Sequence, residues 1–297
     1  MRFWNLLSMP MKYAFVFVVV GLALTVRAEE PGNAESNREI EQRVTPFAQE
    51  TTFTSELGMK MIWVPPGKFR MGNLTGKNLP TEKPVRTVEL SGYYLGATEV
   101  TQAQWEALMD SNPSRLKGDT KPVDDVSWED AMEFCRKLTK MEREAGRLPE
   151  GYEYTLPTEA QWEHACRAGT EGDYAGDLNA MAWYSENSGG KPHPVATKKP
   201  NAWGFFDMHG NVVECCLDWF AIKYDANDTR DPQGPVEGTR DPRGLSEGPD
   251  RVNRGGGYYF TAGRCYSSSR ITFSSGYRRH LGFRPCLSLT SLVTQTP

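Results

Sequence analysis

Three capping signatures fix where helices begin in this chain, and the stretches between them are too rich in glycine and proline for long regular elements. Thr101 with Gln104, Ser127 with Asp130, and Thr158 with Gln161 each place a hydroxyl at a cap and a side-chain acceptor three residues on. Behind the first, TQAQWEALM puts Trp105, Leu108 and Met109 on one face. Behind the second, Ala131, Phe134, Cys135, Leu138 and Met141 recur at helical spacing, and Gly146 suits the C-terminal cap. Behind the third, Trp162, Ala165 and Cys166 face inward and Gly169 is the stop. Cys135 and Cys166 thus sit on apolar faces, which suits core thiols or disulfide partners better than nucleophiles. Elsewhere, 28 glycines and 20 prolines in 297 residues exceed the usual share and favour a fold built from turns.

Strands read as short and scattered. MIWVPPGKFRMG is expected to form a hairpin around Pro66-Gly67, and VRTVELSGYYLG an irregular strand pair. TRDPQGPVEG (229–238) is followed at once by TRDPRGLSEG (239–248), a tandem repeat with no apolar period to bury. Two copies are too few for a solenoid, so a duplicated surface loop is expected.

The N-terminus reads as a leader. Met11–Ala28 has a basic Lys12, an apolar run from Tyr13 to Val26, and a Val-Arg-Ala ending. This is the pattern of a cleaved secretory signal, with the mature chain starting at Glu29. The run is shorter than the ~20 residues a spanning helix needs, which argues against a stable membrane span. Residues 29–55 are polar and read as a tether, residues 56–288 as one globular domain, and 289–297 as a tail. Removing the leader removes Arg2, Lys12 and Arg27 and no acids, so the net charge moves from -4 to -7. That argues against nucleic acid or an anionic membrane as a partner. Export opens disulfide pairing to the six cysteines, whose connectivity spacing alone does not fix. A monomer is expected.

The familiar catalytic signatures are missing. GNLTGK (72–77) lacks a spacer residue and the hydroxyl of a phosphate loop, and no G-x-S-x-G elbow occurs. His164, His193, His209 and His280 are scattered without zinc spacing. In NAWGFFDMHGNVVECCLDWF, however, Asp207, Gly210, Val212 and Glu214 offer two carboxylates and two backbone carbonyls from one tight turn, an all-oxygen set suited to calcium.

The motifs fall in a telling order: GMKMIWVPPGKFRMG, YYLGATEVTQAQW, PVDDVSWEDAMEFC, YTLPTEAQWEHACRAG, PNAWGFFDMHGNVVECCLDW, and RVNRGGGYYF with HLGFRP. Over residues 56–287 this resembles the formylglycine-generating enzyme, or sulfatase-modifying factor, family. The resemblance implies an α+β fold: a single irregular, turn-rich domain of the C-type-lectin-like type, with structural calcium. It strengthens the reading of Asp207, Gly210, Val212 and Glu214 as calcium ligands.

Enzymes of that family use oxygen and a Cu(I) ion, held by two cysteines five residues apart, to convert a cysteine in a C-x-P-x-R sulfatase motif to formylglycine. Soft thiolates select Cu(I), so the pair is indispensable. Aligned on RVNRGG, the second cysteine is Cys265, and the first position holds Phe260, which cannot ligate copper. Gly257 stands where the enzymes have serine, and Val213-Glu214-Cys215 where they have W-E-W. Cys265 is left as a buried thiol, a disulfide partner (Cys166 is a candidate), or a residual copper ligand. Cys135 with Cys286 is a second pairing the resemblance suggests. The implied function is a secreted, calcium-stabilised binding or accessory module, with Tyr258, Tyr259 and Phe260 lining the old cleft toward a peptide, protein or glycan, or simply filling it. The alternative is a working copper oxidase acting on a sulfatase.

Overall fold

The computed structural model describes residues 51–77, 80–238, 249–274 and 277–289. The leader, most of the tether, the second repeat copy and all of the tail but Leu289 lie outside them. In chain order the elements are β1 (Thr52–Thr54), β2 (Lys60–Val64), β3 (Gly67–Met71), β4 (Arg86–Leu90), β5 (Tyr93–Gly96), α1 (Gln102–Glu106), α2 (Trp128–Glu144), β6 (Tyr152–Thr155), α3 (Glu159–Arg167), α4 (Leu178–Met181), β7 (Val213–Trp219), β8 (Asp250–Arg254), β9 (Ile271–Ser274), β10 (Leu281–Gly282) and β11 (Cys286–Leu289). This is the expected α+β class, with most elements only two to five residues long.

All three capping boxes form with both reciprocal bonds: Thr101 with Gln104, Ser127 with Asp130, and Thr158 with Gln161. Each hydroxyl accepts from a backbone N–H that the first helical turn would otherwise leave unpaired. Helix α2 ends before Gly146 (φ 69°) and α3 before Ala168 and Gly169, both left-handed. Helix α1 is shorter than the pattern suggested, but its Trp105 still packs, stacked 5.7 Å from Phe134. Phe134 in turn meets Phe283 edge-on at 5.4 Å, which ties α2 to the last segment of the chain.

The expected hairpin around Pro66-Gly67 does not form, and neither does the β4–β5 pair. Instead β2 pairs with β5 and β3 with β4, all antiparallel, with Val64 opposite Tyr93 and Gly67 opposite Leu90. One register therefore continues through both pairs, and the four strands are a single long ribbon kinked at Pro65-Pro66 on one arm and Ser91-Gly92 on the other. The prolines cannot donate to a ladder, so the break falls where no N–H is lost. Gly92 is required opposite them, because a Cβ there would stand 2.2 Å from the Trp63 ring.

Past the kink the ribbon joins two separate sheets. One is β1-β2-β5-β11-β6, and the other is the β3–β4 pair alone. Thr52–Thr54, at the end of the stretch read as a tether, is an edge strand on β2. A third sheet, β10-β7-β8-β9, carries the residues of greatest functional interest. The main core lies among these layers and includes Leu95, Trp162, Phe205, Phe220 and Cys286. The first repeat copy is anchored more firmly than a free loop: Asp231 accepts from both the backbone N–H and the hydroxyl of Ser91, at 2.6 and 2.8 Å. Among the described residues no helix is long and apolar enough to cross a membrane.

Candidate functional site

Strand β8 runs into Gly255 and Gly256, both in left-handed conformations (φ 92° and 72°). This turn brings the backbone against Cys265: a Cβ on Gly256 would lie 2.5 Å from the Cys265 sulfur. Cys265 is fully buried in a small apolar cluster with Leu178, Ala182 and Tyr184, and Phe260 packs against the same cluster. Burial pushes its thiol up to about 12, against a weak opposing pull from the Gly257 amide. Such burial disfavours the thiolate that metal ligation needs. His209 fixes the backbone there. Its Nε2 accepts from Ala175 N at 3.0 Å, so Nδ1 carries the proton and donates to Cys265 O at 2.9 Å.

All six cysteines are buried free thiols, so neither the Cys166–Cys265 nor the Cys135–Cys286 disulfide is present. Cys166 faces Met208 O and His209 instead, and Cys286 contacts Gln161 and Ser288. Cys215, at the position of the second tryptophan of W-E-W, is buried in β7, and burial raises its thiol far above the ordinary range.

The three aromatics divide into two roles. Tyr258 is only 8 % exposed, and its hydroxyl meets His280 Nδ1 at 2.7 Å, so it is a structural residue more than an open contact. Tyr259 and Phe260 are half-buried, with ring centroids 4.3 Å apart and tilted by 32°, and Tyr259 lies 4.4 Å from the His280 ring. These two present the aromatic surface that the sequence assigned to all three.

The turn that carries Asp207, Gly210, Val212 and Glu214 is tightly held and is not isolated. Asp207 and Asn211 are left-handed (φ 59° and 62°), and Gly210 passes so close to Trp183 that a Cβ would sit 2.3 Å from its carbonyl oxygen. Asp207 Oδ2 accepts from Ala196 N, while the buried Oδ1 has no hydrogen-bond partner. Glu214 is held by Arg284, whose Nε and Nη2 donate to its two oxygens at 2.6 Å each, and by the Trp162 indole at 2.8 Å. Three of its roughly four lone-pair sites are thereby used, leaving one on Oε1.

Glu99 completes the group, and sequence reasoning missed it although it lies inside the ATEV motif. Its oxygens accept from Val212 N and Asn211 Nδ2. Burial, then the charges of Asp207 and Glu214, raise its carboxyl well above the ordinary range, and burial raises Asp207 to about 6. Three buried carboxylates thus face one guanidinium. A cation placed here would offset the excess negative charge and reach the orphaned Asp207 oxygen.

A second buried charge network was also missed. On α3, Glu159 pairs with Arg270 (2.7 Å) and Glu163 with Arg167 (2.8 Å), and Arg254 pairs with Glu163 while reaching Glu159 at 3.5 Å. The signal available in sequence was the i,i+4 spacing of Glu159, Glu163 and Arg167, which ordinarily marks a solvated helix face. Only burial by β8 and the 267–270 segment changes its meaning.

With the fold and these groups in place, likeness to known proteins becomes informative. Residues 47–288 match the family described as sulfatase-modifying factor enzyme 1-like domain. The chain belongs to this family. Within it, the chain is 31 % identical over 219 residues to a chaperone protein LppX of Paenibacillus barcinonensis, covering 58 % of this chain and 76 % of that one. It is 26 % identical over 300 residues to the formylglycine-generating enzyme of Mus musculus, covering 76 % and 74 %. Among solved structures, Treponema denticola variable protein 1 superposes with a TM-score of 0.68 at 30 % identity, over 79 % of this chain and 97 % of that one. The sulfatase-modifying factor fold is therefore shared by relatives whose names denote quite different roles.

Proposed function

We propose that this sulfatase-modifying-factor-family protein is an exported binding or accessory module, stabilised by calcium, that has lost the copper-dependent oxidation performed by its enzymatic relatives. The observation that carries this reading is the burial of Cys265 in an apolar cluster against which Phe260, at the lost ligand position, is packed. Two thiolates are needed to hold Cu(I), and here one is absent and the other is a buried thiol whose ionisation burial disfavours. The name of the chaperone relative supports an accessory role toward other proteins, and the half-exposed pair Tyr259 and Phe260 suits an extended peptide segment. A glycan is the other ligand such a surface suits.

Calcium binding would be the work of Asp207 and Glu214 with the carbonyls of Gly210 and Val212, with Glu99 adding negative charge. The cation would offset the repulsion among three buried carboxylates and lock the turn that supports Tyr258, whose N–H donates to Asn211 O at 2.7 Å.

The deciding experiment incubates the purified protein with Cu(I), oxygen and a C-x-P-x-R peptide and follows the peptide mass. No conversion of the cysteine is expected. Conversion to formylglycine that disappears in Cys265→Ala would establish the oxidase reading instead.

A further inference from the structure

Outside the calcium turn and the Cys265 cluster, Asp124, Asp125 and His280 bring one potential ligand atom each to within 4.8 Å of one another. We propose that these three side chains form a second metal site, for a divalent cation of borderline softness such as Zn²⁺ or Fe²⁺, beside Tyr259. The observation that separates this group from an ordinary acidic cluster is Asp124. It is only 2 % exposed, and its Oδ1 has no hydrogen-bond partner. A buried carboxylate oxygen left bare is destabilising unless something fills it.

The surroundings hold the three ligands in place from both sides. Ser114 Oγ accepts from Asp124 N at 3.0 Å and donates to Asp124 O at 3.3 Å, clamping the backbone at that residue. Asp125 Oδ1 accepts from His280 N at 2.6 Å, and Val126 N donates to Leu281 O, joining two segments more than 150 residues apart. His280 Nδ1 is bonded to the Tyr258 hydroxyl, which leaves Nε2 as the nitrogen for a metal. Metal-binding histidines are usually oriented by such a bond through the other ring nitrogen.

The donor set selects the ion. Two carboxylates and an imidazole suit Zn²⁺, Mn²⁺ or Fe²⁺, whereas calcium prefers oxygen alone and Cu(I) prefers sulfur. Ligands around a tetrahedral ion at about 2.1 Å stand roughly 3.4 Å apart, so the ion would draw these side chains together by small rotations. Asp125 and His280 are only half-buried, and three protein ligands leave a coordination position for water or for a donor group of a bound partner. The His280 ring lies against Tyr259, so that position adjoins the aromatic surface.

The test uses the purified protein stripped with EDTA and then kept in saturating Ca²⁺, so that the calcium turn does not compete. Co²⁺ is titrated as a coloured probe and displaced with Zn²⁺. One equivalent of Co²⁺ should bind with weak d–d bands and no intense thiolate charge-transfer band. His280→Asn and Asp125→Asn should weaken binding at least about tenfold, and Asp124→Asn should do the same. Asparagine tolerates the left-handed backbone at Asp125 and His280 (φ 62° and 64°), so these two variants should fold even if the buried Asp124 variant does not. Absence of stoichiometric Co²⁺ binding, a thiolate band, or unchanged affinity in folded His280→Asn would each overturn the proposal.

Discussion

Arg284 and Glu214 face each other through two parallel 2.6 Å bonds, and neither side chain is exposed. The guanidinium also donates to Gly96 O and Phe206 O, so this one residue joins β5, β7 and the segment that leads into the Asp207 turn. Replacing Arg284 by Leu would leave Glu214 buried without its partner. A loss of about 3–5 kcal/mol is expected, read as a lower denaturant midpoint. A change below about 1 kcal/mol would mean that the pair is dispensable to the fold.

Calcium should raise the melting temperature of EDTA-treated protein, and Asp207→Asn should remove most of that rise. The reason is linkage: an ion bound only by the folded state stabilises it in proportion to occupancy. If neither chelation nor Glu214→Gln alters thermal unfolding, the turn does not hold calcium.

The Glu82 carboxyl is raised to about 7, first by burial, opposed by Arg254, and raised further by Glu163. Its folded pKa therefore exceeds its unfolded value near 4.5, and the folded state binds the extra proton between these limits. Stability from this group falls as pH rises through that window, by up to about 3 kcal/mol. Glu82→Gln should keep the bond from Ser268 and flatten the stability profile between pH 4.5 and 7. An unchanged profile in the variant would show that Glu82 is not the titrating group.

Gly92→Ala should cost about 1–3 kcal/mol, because its Cβ would collide with the Trp63 ring at the ribbon kink. Trp63→Leu in the same chain should recover part of the loss, since the clash is with the ring. A double-mutant cycle on urea midpoints measures the coupling, and simple additivity would place the strain elsewhere.

Six thiols should react with a disulfide reagent in denaturant without reductant, and almost none in the native protein. The absence of disulfides accounts for the first number and burial for the second, because each thiol is enclosed and those of Cys166, Cys265 and Cys286 are pushed up to about 12. Fewer than six in denaturant would reveal a disulfide, and rapid native labelling of Cys265 would reopen the copper reading.

Features whose causes are local were legible in the sequence, and so was the family. A capping box is closed by bonds between residues three apart, so Thr101, Ser127 and Thr158 announced their helices, and Gly146 and Gly169 their ends. The turn from Asp207 to Glu214 was legible for the same reason. Strand pairing was not. Each arm of the ribbon suits a hairpin with its own neighbour, and only packing of Gly92 under Trp63 and the Pro65-Pro66 break across two sheets decide the other partner. The charged groups were hidden by the same limit, since Glu159 and Glu163 look like a solvated face until β8 covers them. Histidine spacing argued against a zinc site, yet the fold carries His280 to Asp125 across 155 residues. Burial, long-range register and the company a side chain keeps are properties of the folded chain, because they depend on segments that meet only after it closes.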